Sequence, residues 1–462
     1  MLDFLRVDGI SLCGGKGQPV RLRGVGLGGW MNMENFITGY PGAEEAHRQA
    51  MAAVLGPERY AFFFDKFLEF FFSASDAAYL ASLGVNALRL PINYHHFEDD
   101  DRPFVVKESG FGHLDRVIDL CTREGIYCII DLHSAPGGQN EDWHCDNPTH
   151  KPLFWRHRHF QERTVHLWKA IARRYRDNPA VAGYNLLNEP NDASKCLLRP
   201  FYQETIDAIR AVDPEHVIFL DGNLYATDFT NFDPPFENVV YAIHDYTPPG
   251  ETGAPAYPGL CRGKQFDHQR LAKDIRRKCQ YMLERGLPIW VGEFGPQYAG
   301  DATIDAMRRQ VAIDQIAAFE ELQAHWCIWP YKDLGLQALV YLSADSPWMV
   351  RIKSFLEKKA RLAADCALPA GPVNPLVQPL IETLQREVPN YRPSPPPPWG
   401  VAFQVNRLVR GILFSEALQD EFAGLFRDAS LPEIGELMRS FLLERCVKRR
   451  PLADVLQAAC RS

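Results

Sequence analysis

Short apolar runs alternate along the chain with longer stretches in which apolar residues recur at helical spacing. Most of the runs are continuous rather than interrupted by polar residues, which is typical of parallel strands covered on both faces. The runs predict eight strands, at residues 20–25, 85–90, 126–132, 181–187, 217–220, 239–243, 289–291 and 326–329.

Amphipathic segments between these runs predict helices, among them 76–83, 114–124, 161–175 and 270–284. Three of them end close to a glycine, a residue that readily adopts the left-handed conformation of a helix C-terminus. The repeated strand–helix order predicts an α/β fold, a (β/α)8 TIM barrel. A doubly wound sheet is the alternative, but no GxGxxG turn with an acidic partner follows the first strand. The glycines of 24–29 instead predict a tight turn at the barrel rim.

The segments outside the barrel pattern suggest three regions. Residues 1–365 are predicted to form the barrel, with an N-terminal hairpin at 5–12 that closes its bottom and an eighth helix at 346–359. Residues 366–400 read as a Pro-rich strap or linker, because repeated prolines disfavour an unbroken helix. Residues 401–462 predict a helical C-terminal extension. The pattern leaves open whether this extension braces the barrel or hangs free.

Composition narrows the class of protein. Of 462 residues, 46% are hydrophobic and 23% charged, with a net charge of −8. These values are ordinary for a globular chain and give no basic face for a nucleic-acid partner. No apolar run reaches the ~18 residues of a membrane span. The eleven cysteines have no zinc-site or disulfide-framework spacing. With no signal peptide visible, a reducing, cytoplasmic location is expected; a secreted protein with a trimmed N-terminus is the alternative.

Polar residues at the predicted strand ends carry the candidate chemistry, because TIM-barrel active sites lie at the C-terminal ends of the strands. Glu189 and Glu293 follow the fourth and seventh strands, 104 residues apart. Three strand–helix units of about 30–35 residues fit that spacing. Glycoside hydrolysis needs two such carboxyls, one protonated and one ionised. The other strand-end candidates are Arg89, His133, Asn188, His244, Tyr246 and Trp329.

Two other classes of protein fit a barrel of this kind. One is a sugar-binding barrel with weak or no turnover, which the presence of both glutamates and their neighbours disfavours. The other is a metal-dependent hydrolase, which needs an HxH pair at the end of the first strand; residues 26–30 contain none. The histidine pairs at 95–96 and 157–159 lie in predicted loops or helices without a convergent carboxylate. No metal site is therefore expected.

Six ordered motifs between about residues 5 and 360 resemble glycoside hydrolase family 5, a cellulase superfamily of retaining (β/α)8 enzymes. The run 131–140, Asp-Leu-His-Ser-Ala-Pro-Gly-Gly-Gln-Asn, is most similar to the exo-β-1,3-glucanase branch. Residues 143–148 and 329–333 depart from that branch, and both segments are expected to border the substrate pocket. The motifs are RGVGLGGW at 23–30, LRLPI at 88–92, DLH at 131–133, NEP at 188–190, HDY at 244–246 and GEFG at 292–295.

The resemblance implies a role for each strand-end residue. Glu189 would be the general acid/base and Glu293 the nucleophile of a double displacement. Arg89 and Tyr246 would hold the nucleophile, and His244 would lie near the acid/base. Asn188 would bind the sugar 2-hydroxyl, and His133 would contact the same sugar. Trp329 would form the floor on which that sugar stacks.

The resemblance also implies a retaining hydrolase for a β-glycosidic bond, with a carbohydrate or glycoside substrate and no cofactor. The long segments 32–75 and 134–160 indicate a pocket, and hence exo action on a β-glucoside or β-glucan. A family 5 enzyme for another glycoside, such as a steryl or lipid glycoside or a furanoside, is the alternative. The sequence does not determine the oligomeric state.

Overall fold

Eight parallel strands close into a barrel in the computed structural model, which describes residues 2–251, 253–254, 256–365, 368–391 and 400–461. Barrel strands and shorter strands outside the barrel follow one another along the chain. In chain order they are β1 Arg6–Asp8, β2 Ser11–Cys13, β3 Pro19–Val20, β4 Arg23–Gly26, β5 Ala87–Asn93, β6 Tyr127–Ser134, β7 Val181–Asn185, β8 Val217–Asp221, β9 Val239–Asp245, β10 Gly259–Cys261, β11 Lys264–Phe266, β12 Ile289–Phe294, β13 His325–Ile328, β14 Lys332–Asp333, β15 Val340–Leu342 and β16 Cys446–Lys448.

The barrel order is β4, β5, β6, β7, β8, β9, β12 and β13, and β13 pairs back to β4. Every pairing in it is parallel, so the predicted TIM barrel is confirmed. Strand β12 is longer than the apolar run at 289–291 suggested, because Glu293 pairs with His244 of β9 and continues the ladder. The charged side chain of Glu293 is tolerated there because it faces the barrel mouth.

Helices surround the barrel, and the predicted segments are all helical. The 270–284 segment is two helices, joined at Cys279. The helices are α1 Asn35–Thr38, α2 Glu44–Phe71, α3 Ala74–Ser82, α4 Phe111–Arg123, α5 Arg158–Tyr175, α6 Leu198–Arg210, α7 Asn223–Ala226, α8 His268–Lys278, α9 Gln280–Arg285, α10 Ala302–Glu321, α11 Pro347–Arg361, α12 Asn374–Glu387, α13 Val401–Asn406, α14 Gln419–Gly424, α15 Leu431–Met438 and α16 Arg450–Arg461.

The N-terminal hairpin lies at the bottom of the barrel. Strands β1 and β2 pair antiparallel, and β3 adds a third strand. Leu5 and Leu12 are buried in one apolar cluster with Ala87, Ile129 and Trp290 of the barrel strands. Burial of this apolar surface keeps water out of the barrel interior from below. The opposite, C-terminal mouth stays open for a site.

The C-terminal region packs on the barrel through α2. Helix α2 bends at Gly56, whose φ is +69°, immediately before Pro57. Beyond the bend, Phe63 packs edge-on against Phe426, and Phe67 against Phe441. These four rings belong to one continuous buried cluster with the barrel core. The extension therefore braces the barrel.

The Pro-rich region contains a helix that the sequence argued against. Helix α12 runs through both Pro375 and Pro379. Pro375 lies in the first turn, where its missing N–H has no intrahelical partner to lose. Pro379 removes one backbone hydrogen bond, and burial of Val377 and Ile381 against Val405 compensates. The polyproline stretch 393–398 lies outside the described residues.

Beyond residue 400 the predicted helical extension is segmented. It contains α13, a π-helix at Arg407–Phe414, α14, α15 and α16. Strand β16 interrupts it and pairs antiparallel with β15, which follows the barrel. Among the described residues, no helix is both long and apolar enough to cross a membrane. The ten cysteines that the structure describes are all free.

Candidate active site

A cavity of about 270 Å³ opens at the C-terminal mouth of the barrel. Five of the predicted residues line it, namely His133, Glu189, Tyr246, Glu293 and Trp329. The other three, Arg89, Asn188 and His244, lie behind them, buried and hydrogen-bonded to the lining groups. The structure therefore brings together all eight strand-end residues that the sequence selected.

Two glutamates face each other across this cavity. Glu189 follows β7, and Glu293 lies within β12. A carboxylate oxygen of each lies within 4.8 Å of the other and of a nitrogen of His244. Carboxyl groups about 5–5.5 Å apart suit a double displacement, whereas ~6.5–9.5 Å leaves room for a water in an inverting site. The observed spacing is that of a retaining site.

Glu293 is surrounded by hydrogen-bond donors. Arg89 Nη1 donates to Oε1 at 2.6 Å, and the Tyr246 hydroxyl donates to Oε2 at 2.7 Å. Burial opposes the charge of Arg89, but Asp131 and Glu293 raise its pKa above the ordinary range, so the guanidinium stays charged. These two donors fix the orientation of the Glu293 carboxyl, which also lines the cavity.

The guanidinium of Arg89 is itself held by two strands and by Asn188, which follows one of them. It donates to Asn185 of β7 at 3.1 Å and to Asn188 at 2.7 Å, and lies 3.1 Å from Asp131 of β6. The residue is fully buried. Because its N–H donors are directed at these partners, the Arg89 guanidinium is oriented before any ligand binds. Less free energy is then needed to reorganise the site during the reaction.

The backbone of Glu189 adopts a rare conformation. Its φ is +45°, a region that costs roughly 1–3 kcal/mol for a residue other than glycine. Two neighbours hold it there: Asp221 accepts from the Glu189 N–H at 2.9 Å, and Asn140 Nδ2 donates to its carbonyl at 3.0 Å. This clamp directs the side chain into the cavity.

Two imidazoles contact the Glu189 carboxyl. His244 Nδ1 lies 2.7 Å from Oε1, and His144 Nε2 lies 3.2 Å from Oε2. Burial lowers the pKa of His244, while Glu293, Asp221 and Glu189 raise it, and the net direction is upward. The carboxyl and the imidazoles thus form one proton-sharing group.

His133 and Asn188 form the wall next to this group. His133 Nδ1 lies 2.7 Å from Asp131 Oδ2, and Asn188 Nδ2 lies 3.3 Å from His133 Nε2. Burial opposes a charge on His133, but Asp131, Glu34 and Glu293 raise its pKa to about 10. These acidic neighbours favour a proton on the ring, whereas the Asn188 amide beside Nε2 favours a lone pair there; the ring edge lies at the cavity, within reach of a sugar hydroxyl.

Trp329 forms a flat wall of the cavity. Its ring stacks on His133 with an interplanar angle of 2°. A Cβ added at Gly26 or Gly28 would lie 2.5 or 2.4 Å from the indole, so only glycine leaves room for it. The glycine segment read as a rim turn thus also seats an aromatic platform. An exposed indole face suits the apolar face of a sugar ring.

Several lining residues were not selected from the sequence. Glu34 lies eight residues beyond β4, and His144 lies ten beyond β6, so neither is a strand-end residue. Burial raises the pKa of the Glu34 carboxyl. The sequence feature that could have identified Glu34 and His144 is the length of segments 32–75 and 134–160, because long loops after barrel strands border the site. The remaining lining residues include Phe36, Trp143, Thr247, Glu251, Gln297, Leu336 and Gln337.

Glu189, His244 and Glu293 also form a group of three potential metal ligands within the described part of the chain. Their ligand atoms already contact one another, and Arg89 and Tyr246 occupy both oxygens of Glu293. A guanidinium 2.6 Å from a carboxylate opposes a second cation there. The donor set therefore fits acid–base chemistry better than metal coordination.

Comparison with known proteins agrees with this geometry. A family model described as cellulase (glycosyl hydrolase family 5) matches residues 69–335. A beta-xylosidase from Phanerodontia chrysosporium is 47% identical, over 98% of this chain and 98% of its own. A probable glucan 1,3-beta-glucosidase A from Aspergillus clavatus is 31% identical, over 59% of this chain and 64% of its own.

A solved structure of rutinosidase from Aspergillus niger shares the fold, with a TM-score of 0.52 over 68% of this chain and 90% of its own, at 18% identity. The barrel, the paired carboxyls at its mouth and the match of the family model over more than half of the chain agree. The chain belongs to glycosyl hydrolase family 5 and is a retaining β-glycoside hydrolase.

Proposed function

We propose that this enzyme is an exo-acting β-glycosidase in which Glu293 is the nucleophile and Glu189 the general acid/base. The observation that carries the proposal is the approach of the two carboxyls to within 4.8 Å at the barrel mouth. At that distance one carboxylate reaches the anomeric carbon while the other carboxyl reaches the glycosidic oxygen, without the wider gap in which an inverting site places its attacking water.

The surroundings of each carboxyl support this division of roles. Arg89 and Tyr246 donate to both oxygens of Glu293 and orient it, as a nucleophile requires. Glu189 contacts imidazoles rather than a guanidinium, so it exchanges a proton more readily. In the first step the glycosidic oxygen takes the proton of Glu189 as its bond to the anomeric carbon breaks and Glu293 bonds to that carbon. In the second, Glu189 takes a proton from water, which displaces Glu293.

The neighbouring residues support binding of one sugar ring in the cavity. Asn188 lies beside Arg89 and is placed to bind a 2-hydroxyl, a contact that strengthens in an oxocarbenium-like transition state. His133 supplies a polar ring edge, and Trp329 a stacking surface. The cavity of about 270 Å³ is below the ~300–1,000 Å³ of sites that enclose drug-sized ligands, which favours a single terminal ring.

For the substrate we propose a terminal β-xyloside. The relative named beta-xylosidase is similar over 98% of both chains, including the regions outside the barrel. A β-glucoside is the second candidate, which the glucan 1,3-beta-glucosidase relative favours. A xylose ring lacks the hydroxymethyl group of glucose, so the two differ in the space needed at one edge of the pocket.

A panel of aryl glycosides tests the substrate. We expect kcat/KM for 4-nitrophenyl β-xyloside to exceed that for the β-glucoside, with α-arabinofuranoside and a steryl β-glucoside far below both. A higher value for the glucoside would assign the second candidate instead. A furanoside or steryl glycoside that outperforms both would overturn both assignments.

Product analysis tests the mode of action. With xylo-oligosaccharides the enzyme should release xylose from one end, as the β-anomer when followed by NMR in the first minutes. Early release of internal fragments would contradict exo action. An α-anomer as first product would contradict the assigned double displacement.

A further inference from the structure

His144 lies in the loop after β6 and was not among the residues selected from the sequence. Its Nε2 lies 3.2 Å from Glu189 Oε2, while His244 contacts the other oxygen. The loop holds the residue: Asn32 Nδ2 donates to its backbone carbonyl at 3.0 Å, and Asn140 Nδ2 lies 3.1 Å from the ring nitrogen. The imidazole is therefore placed against the carboxyl before a substrate enters.

The position of the proton in this contact decides its effect. If both imidazoles carried a hydrogen toward Glu189, the pKa of that carboxyl would fall well below its usual range, even though burial acts to raise it. Such a carboxyl would hold no proton for a leaving group near neutral pH. If His144 accepts instead, the hydrogen lies on Glu189 Oε2 and the protonated acid is favoured.

Asn140 distinguishes the two arrangements. The backbone N–H of Asp142 donates to its Oδ1 at 2.9 Å, and its Nδ2 donates to the Glu189 carbonyl at 3.0 Å. Two backbone groups thus fix which end of the amide is the NH2. That NH2 lies 3.1 Å from His144 Nε2. A donor directed at this nitrogen requires a lone pair on it, so His144 carries its hydrogen on Nδ1.

We propose that His144 is a positioning residue whose Nε2, kept free of hydrogen by Asn140, presents a lone pair rather than a donor to Glu189 Oε2 and so favours the protonated carboxyl that the leaving group needs. This inference rests on the proposed acid/base role of Glu189. In the first step the proton leaves Oε2 for the glycosidic oxygen as that bond breaks and Glu293 bonds to the anomeric carbon. The bare carboxylate then faces a lone pair on His144, which favours its recovery of a proton from water in the second step.

Other charged groups around Glu189 act in both directions. Cationic neighbours favour the ionised carboxyl, and anionic neighbours favour the protonated one. Burial lowers the pKa of His144, while Glu189 and Asp142 raise it and the net direction is upward, so the Asn140 NH2 acts against this tendency to be charged. The titratable groups that face the pair are His244 of β9, Asp221 of β8, Glu293 of β12, His133 of β6, Tyr246, Glu34 and Tyr225.

The pH profile of kcat/KM for two His144 variants tests the inference, since its basic limb reports loss of the proton from the free acid. In His144→Ala the acceptor is lost, and the basic limb should move about one pH unit toward acid, the worth of one hydrogen bond to the protonated form. In His144→Gln the amide oxygen can accept from both Asn140 and Glu189. That variant should keep the basic limb close to its original position.

The leaving group provides an independent readout. Phenyl β-xyloside needs protonation of its leaving oxygen, whereas 2,4-dinitrophenyl β-xyloside hardly does. On the alkaline side His144→Ala should therefore lose at least tenfold on the phenyl substrate and little on the dinitrophenyl one. His159→Phe, which removes an exposed histidine at the start of α5, is the control and should leave both profiles unchanged.

Three results would overturn the inference. A basic limb that moves toward alkali in both His144 variants would make His144 a cationic donor. An unmoved limb with equal losses on both substrates would make its role merely structural. A limb that moves in His144→Gln as far as in His144→Ala would remove the acceptor argument. The variant Glu189→Ala tests the proposed acid/base role separately from the inference about His144. If azide does not restore its activity on the dinitrophenyl substrate, the acid/base role itself is wrong.

Discussion

At the scale of single residues, the two carboxyls of the site differ in their neighbours rather than in their burial. Both are largely buried, but Glu293 contacts a guanidinium and a phenol, while Glu189 contacts two imidazoles. A fixed cation and a phenol orient one carboxyl, whereas imidazoles can exchange a proton with the other. Two identical side chains therefore acquire two roles from their environments.

Replacement of Glu293 by glutamine keeps the shape of the side chain and removes the nucleophile. We expect kcat of E293Q on an aryl β-xyloside to fall about 10³-fold or more, because no covalent intermediate forms. The melting temperature should stay near that of the wild type. Glu204→Gln, at an exposed ion pair with Arg158, is the control. Wild-type turnover in E293Q would refute the nucleophile assignment.

Buried neutral histidines predict an acid-sensitive fold. Burial lowers the pKa of His325 from 6.5 to about 3, and its Nδ1 accepts from the backbone N–H of Leu22 at 3.0 Å. Between those pH values the unfolded chain binds a proton that the folded chain does not. The free energy of unfolding should therefore fall as pH falls through this window, by up to about 1.4 kcal/mol per pH unit. Urea unfolding at several pH values measures the slope, which should be shallower in His325→Gln.

At the scale of elements, the barrel strands place the candidate residues but loops complete the site. Strand ends of a parallel barrel converge at one mouth, so the strand-end residues of β5, β6, β9 and β12 could be anticipated. Glu34 and His144 come from long loops, whose paths depend on packing against other loops rather than on a local pattern. Asn32, for example, holds His144 through a contact 112 residues apart in the chain.

The turn after β4 shows how an element constrains the site. A Cβ at Gly28 would lie 2.4 Å from the Trp329 ring, so Gly28→Ala must displace that ring. We expect kcat/KM to fall roughly 10²-fold, as for displacements of about 1 Å elsewhere. The matched control is Gly112→Ala on α4, where a Cβ meets nothing within 4 Å. That variant should keep full activity; equal losses in both would contradict the steric argument.

At the scale of the whole molecule, the C-terminal region and the barrel share one core. Lys332, which follows the last barrel strand, is fully buried and joins three parts of the chain. Its Nζ lies 2.9 Å from Asp76 of α3 and donates to the carbonyls of Phe71 and Phe441 at 2.7 and 2.6 Å. A buried ammonium with all three donors used holds these elements in one arrangement.

Loss of this ammonium should destabilise the whole molecule. Lys332→Met would leave the Asp76 carboxylate buried without its cation, at a cost of about 3–5 kcal/mol in the free energy of unfolding. Denaturant unfolding measures it. Lys358→Met, which removes an exposed ion pair between α11 and Glu421, should cost less than about 1 kcal/mol. Equal effects of the two would show that Lys332 is not a structural centre.

The sequence by itself determined the barrel, because continuous apolar runs and the intervening helices follow from local chemistry, and parallel closure converges Glu189 and Glu293. It also indicated Trp329 as a sugar platform and the glycines of 24–29 as a rim turn, whereas the contact between them came from the structure. Only the tertiary structure decided that α12 runs through Pro379, that the last 60 or so residues brace α2, and that His144 contacts Glu189. These features rest on contacts between segments distant in sequence, where packing and burial outweigh local preference.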